Sequence, residues 1–163
     1  MHVQRALCLS FLGLFMSSAY AAQTTAVVNV TVTILSPPCV INNNQMIDID
    51  FGSSIAITDV SSGTYKKPIN YTLECNGGDP SPPLKMRITG NPAEYNADAL
   101  QTSLDNLAIA FQANNSAYAL NTDLNFASVD AKPQLNAILT QKAGARLNTG
   151  AFTAGATMTV SYQ

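Results

Sequence analysis

The chain has 163 residues, a formal net charge of −2 and only 11% charged residues, where ordinary soluble domains carry about 25%. No basic run exists, which excludes a nucleic-acid partner. One histidine and three cysteines leave little room for a metal site or a histidine-based catalytic site.

Residues 1–21 read as a secretory signal peptide. Arg5 supplies the positive start, residues 6–16 form a short apolar run, and Ala19-Tyr20-Ala21 is a small-x-small cleavage site. The apolar run is too short to span a bilayer. Cleavage is expected after Ala21, with cleavage one residue later as the alternative, and it removes Arg5, His2 and Cys8. The exported remainder then carries two cysteines and no histidine, so neither a metal nor a cofactor is expected. Export places Cys39 and Cys75 in an oxidising compartment, where they are expected to form a single disulfide.

Residues 22–38 form an N-terminal extension. Within it Val28, Val30, Val32 and Ile34 alternate with Asn29, Thr31 and Thr33. Period-2 alternation marks a strand with one dry face. Pro37-Pro38 ends it, because proline cannot donate to a ladder. The strand lies outside the disulfide loop, on a tail. A dry face on a tail needs another surface to cover it, and this points to strand exchange between chains.

Further along, Ile47, Ile49 and Phe51 alternate with Asp48 and Asp50, a half-buried strand. Paired carboxylates can do acid–base work, but on an alternating strand they mark the wet face. Residues 66–75 read as one strand, with Ile69, Tyr71, Leu73 and Cys75 on one side. A Gly/Pro-rich loop follows, then Leu84, Met86 and Ile88 mark another strand. Residues 96–106 are ambiguous: Leu100, Leu104 and Leu107 have helical spacing, which admits a short surface helix. Residues 107–112 and 135–141 are strand candidates, with loop-like sequence between them. At the end Phe152, Ala154, Ala156, Met158, Val160 and Tyr162 alternate with small polar residues. Short strands with turn signals between them predict an all-β sandwich.

Together these residues resemble the minor pilin subunits of bacterial chaperone–usher pili, of the P-pilus and type 1 kind. The clearest match is Ile34-Leu35-Ser36-Pro37-Pro38-Cys39-Val40-Ile41-Asn42-Asn43, followed by Ile49-Asp50-Phe51-Gly52, which looks like the entry to the pilin domain of tip adaptors. Leu107-Ala108-Ile109-Ala110-Phe111 is similar to a recurring pilin strand, with Ala108 where glycine is frequent. Gly150, fourteenth from the end, and the penultimate Tyr162 match the family's terminal signature.

The resemblance implies an immunoglobulin-like sandwich over residues 39–163 that lacks its last strand. The gap leaves a groove beside the terminal strand, formed by Gly150, Phe152, Ala154, Ala156, Met158, Val160 and Tyr162. A periplasmic chaperone covers it first and anchors the carboxylate of the last residue, here Gln163. An outer-membrane usher exports the subunit, and the tail of a neighbouring subunit then replaces the chaperone. Family tails often carry glycine where this one has Val32, so the receiving groove needs more room there. The implied function is a non-enzymatic minor subunit at or near the tip of a cell-surface fimbria, serving adhesion as part of the fibre. The alternatives are a rod-forming major pilin and a monomeric secreted immunoglobulin-like binding module.

Overall fold

A computed structural model describes residues 39–76 and 82–163. In chain order it has β1 (Val40–Ile41), a 3-10 turn (Asn42–Asn44), α1 (Ile57–Ser61), β2 (Lys66–Ile69), β3 (Leu73–Glu74), β4 (Leu84–Gly90), β5 (Pro92–Ala93) and β6 (Asn96–Gln101). There follow β7 (Leu107–Ala113), β8 (Ser116–Tyr118), β9 (Asp123–Phe126), a second 3-10 turn (Val129–Ala131), β10 (Leu135–Gln141) and β11 (Ala156–Tyr162). The predicted signal peptide and the tail strand Val28, Val30, Val32 and Ile34 lie outside the described residues.

The fold is all-β, and every pairing is antiparallel. The larger sheet runs β2-β10-β7-β6-β5, with β8 attached to β7. The second sheet has three strands in the order β11-β4-β9, and β1 pairs with β3 in a small ladder. One apolar core joins the two larger sheets. Leu84, Met86 and Ile88 of β4 enter it from one side, Ile109, Phe111 and Leu139 from the other. Alternation explains the choice: Lys85, Arg87 and Thr89 lie between the inward residues of β4. Tyr118 clips the sheets together. Its hydroxyl accepts from the Ile88 N–H at 3.2 Å and lies 3.0 Å from the Thr122 carbonyl.

The central strand β7 is dry on both faces. On its outer face Ala93, Ala99 and Ala108 make a second small cluster. Tyr95 packs on it, and its hydroxyl donates to the Thr140 carbonyl at 3.1 Å. Only small side chains leave room for that ring, which accounts for alanine at 108.

Three expectations change. Residues 66–75 are two strands, because β2 pairs with β10 while β3 pairs with β1. The side-chain alternation survives the switch, with Ile69, Tyr71 and Leu73 all buried. Residues 96–106 hold no helix. Leu100 lies in β6 and Leu107 in β7, and Leu104 sits in the turn between them. The Thr102 hydroxyl closes that turn, donating to the Leu104 or Leu107 carbonyl at 3.0 and 2.9 Å. Finally, the stretch between β7 and β10 contains β8 and β9. The β7–β8 hairpin turns at Asn114 and Asn115, both with positive φ, as a tight hairpin requires.

Candidate functional site

Among the described residues β11 pairs with β4 alone, from Ala156↔Gly90 to Tyr162↔Leu84. Among the described residues its other edge has no ladder partner. The paired rows differ sharply in burial. On β4, Leu84, Met86 and Ile88 are 0%, 0% and 3% exposed. Their partners Tyr162, Val160 and Met158 are only half-buried, while Thr157, Thr159 and Ser161 face solvent. The dry face of β11 is thus covered from one side and open on the other.

Residues 150–155 continue the chain but not the ladder. β4 stops at Gly90, and the chain turns into β5 at Pro92, so Phe152 and Ala154 have no strand to pair with. The terminal alternation therefore holds as a pattern, with a shorter ladder than it suggests. Thr153 is pinned instead by Ser103, whose N–H donates to the Thr153 carbonyl at 2.9 Å and whose hydroxyl accepts from the Thr153 N–H at 2.9 Å. Gly150 has φ 151°, a conformation that favours glycine. A Cβ on Gly90 would come within 2.4 Å of Leu100 Cδ1, so that glycine lets the larger sheet close on β4.

Facing β11 stands residues 46–51. Ile47 and Ile49 are half-buried, Phe51 is buried, and Asp48 and Asp50 are exposed, as the alternation predicts. Yet this segment belongs to no ladder among the described residues. Between it and β11 runs an apolar groove of about 1400 Å³, floored by Ile69, Ile88, Leu100, Ile109 and Leu139. Phe51 and Phe152 close one end, with ring centroids 5.9 Å apart. Tyr65 braces that end by donating from its hydroxyl to the Phe51 carbonyl. At the other end Cys39 and Cys75 form a disulfide beside the β1–β3 ladder.

The last residues are tied down. The Gln163 N–H donates to the Pro83 carbonyl at 3.0 Å and its side-chain amide to the Leu84 carbonyl at 2.9 Å. The buried Tyr162 hydroxyl finds no hydrogen-bond partner among the described residues. Among those residues no cluster of His, Cys, Asp and Glu could hold a metal ion, and no helix is long and apolar enough to cross a membrane. Alternation in the sequence marked a terminal strand, and Ala156–Tyr162 form one; the groove beside it was implied by the resemblance and not by the alternation. Sequence reasoning did not anticipate that residues 46–51 form the facing wall without pairing, because alternation reports burial and not hydrogen bonding.

Residues 28–163 match the protein family described as "Fimbrial protein". The chain belongs to that family. It is a pilin subunit of chaperone–usher pili, a structural and non-enzymatic protein of the cell-surface pilus. A fimbrial-like relative, YfcR of Escherichia coli strain K12, is 34% identical over 132 residues, covering 78% of this chain and 74% of that protein. Among solved structures, the P pilus rod subunit PapA is 22% identical with a TM-score of 0.62, covering 78% of this chain and all of that one. The P pilus adaptor subunit PapF is 25% identical with a TM-score of 0.52, over 79% of this chain and 98% of that one. A subunit of a chaperone–usher pilus studied for rod uncoiling has 21% identity and a TM-score of 0.59, over 90% and 100%. The incomplete two-sheet sandwich of this fimbrial protein is the pilin fold.

Proposed function

We propose that this pilin joins its fibre by strand donation. In this reading residues 1–21 are the signal peptide, 22–38 the donor tail and 39–163 the accepting domain. The groove takes the tail of one neighbour, and the chain's own Val28, Val30, Val32 and Ile34 enter the groove of the next. Before assembly a periplasmic chaperone covers the bare edge, and an outer-membrane usher passes the subunit outward. One observation carries the reading: among the described residues β11 has an unpaired edge bordering an apolar groove, opposite a wall that belongs to no ladder either. An exposed edge of this kind templates pairing with another chain. A strand laid there gains main-chain bonds and buries its alternate side chains.

The finer placement, a minor subunit at or near the tip, is supported by the sequence from Ile34 to Gly52, which resembles tip-adaptor entries. Antibody labelling of fibres tests this placement: one or a few copies at the tip are expected, and continuous labelling along the shaft overturns it.

Two substitutions test the division of labour. Val30→Asp places an unpaired carboxylate in the neighbour's groove, a burial that costs several kcal/mol. That variant should bind chaperone and fail to join fibres. Val160→Asp puts the charge on the accepting edge and should abolish the chaperone complex. If Val30→Asp loses the chaperone while Val160→Asp keeps it, the roles are reversed and the reading is wrong.

A further inference from the structure

Asn42, Asn43 and Asn44 follow one another in left-handed backbone conformation, with φ of 47°, 51° and 60°. L-residues are strained there, asparagine less than most, and a run of three is unusual. Local strain of this kind persists only where surrounding contacts hold it.

The run sits where the chain leaves β1 and starts the unpaired groove wall. Asn42 holds both sides of that bend. Its main-chain N–H donates to the Thr72 carbonyl at 2.9 Å, on the β3 side. Its side-chain Nδ2 donates the other way, to the Gln45 carbonyl at 3.1 Å and the Met46 carbonyl at 3.3 Å. At Gln45 the backbone returns to the extended region. Met46 is 83% exposed, so apolar packing does not fix the start of the wall. Among the described residues, the side chains of Asn43 and Asn44 make no hydrogen bond that would do so.

We propose that Asn42 is a positioning residue for strand uptake: its side-chain amide sets the start of the wall, residues 46–51, that lines the groove with β11. The proposal rests on the strand-donation reading above. It assigns separate jobs to three identical neighbours. Asn43 and Asn44 only tolerate the left-handed turn, which glycine does better. Asn42 also supplies two bonds that glycine cannot.

The test uses residues 22–163 loaded with an unlabelled synthetic strand of sequence 24–36, then challenged with an excess of the fluorescent strand. Asn43→Gly and Asn44→Gly are expected to exchange within twofold of the unsubstituted chain and to melt at higher temperature. Asn42→Gly keeps the backbone conformation and loses the two bonds. It is expected to exchange at least tenfold faster or to fail to load. Asn42→Asp keeps the shape without the donor and should behave like Asn42→Gly. Exchange by both Asn42 variants within twofold of the unsubstituted chain overturns the positioning role, and so does equal acceleration in Asn43→Gly. If the unsubstituted chain takes up no strand at all, the strand-donation reading falls with it.

Discussion

Tyr162 and Tyr71 are both tyrosines turned into the core, and they stand in opposite hydrogen-bonding states. The Tyr162 hydroxyl is buried without a partner among the described residues, and an unsatisfied buried donor is a standing penalty of about 1–3 kcal/mol. Tyr162→Phe should therefore leave stability unchanged or raise it by about 1 kcal/mol, read as the urea midpoint of the strand-filled protein. A loss above about 1 kcal/mol would mean that the hydroxyl is satisfied. Tyr71 donates to the Pro133 carbonyl at 2.6 Å, and the Lys132 ammonium lies 4.7 Å above its ring. Burial pushes its hydroxyl from 10.0 up to about 12. The folded chain thus keeps a proton that the unfolded chain releases above pH 10. Stability is whole below pH 10 and falls as pH rises from 10 toward 12, by roughly 1.4 kcal/mol per unit. Unfolding midpoints at pH 9, 10.5 and 11.5 should decline in the unsubstituted protein. The decline should flatten in Tyr71→Phe, since Tyr95 and Tyr118 are also raised by burial and keep part of it. An equally steep decline in that variant would count against Tyr71 as the main source.

Among the elements, the β1–β3 ladder is the weakest and the most consequential. It has two residue pairs, Val40↔Glu74 and Ile41↔Leu73, and the Cys39–Cys75 bond lies beside it. The bond closes a loop of sequence separation 36, which the chain-entropy estimate values at roughly 3–4 kcal/mol. Replacing both cysteines by alanine should lower stability by that amount. It should also free the groove wall, seen as faster hydrogen exchange at residues 40–51 than in β7 and β10. Uniform loss of protection across all strands would argue against a local role. The same elements mark how far the sequence could be read. β4 and β11 were legible because each turns one face to the core, and alternation records that; β7 and β10, covered at most positions, were legible only as short apolar runs. The wall at residues 46–51 was legible only in its burial; its lack of a ladder depends on what lies beside it. β8 and β9 have three and four residues, too short for a period to stand out. Leu100, Leu104 and Leu107 imitate a helix because a hairpin turn sets them at that spacing. The break between β2 and β3 was hidden because the buried face runs through it unchanged.

At the scale of the whole molecule, among the described residues a six-stranded sheet faces one of three strands. The shortfall is local. It falls at the bare edge of β11, above a floor of core residues, and the groove there measures about 1400 Å³. A closed sandwich would cover Met158, Val160 and Tyr162 as fully as it covers their partners on β4. Here they stay half-exposed, so the chain forgoes apolar burial that amounts to about 25 cal/mol for each Å² left wet. An exposed apolar edge also invites pairing with any other chain. Stability and solubility should therefore both depend on a strand supplied from outside. Residues 39–163 expressed alone should aggregate or be degraded. The same residues carrying sequence 24–36 after Gln163, on a flexible linker long enough to fold back, should be soluble and unfold cooperatively. Scrambling the order of Val28, Val30, Val32 and Ile34 with their polar neighbours in the added strand should abolish the rescue, because a strand without alternation cannot turn one dry face to the groove. Soluble yield and the reversibility of urea unfolding measure both effects. Reversible folding of residues 39–163 with no added strand would show that the sandwich is already complete without the neighbour.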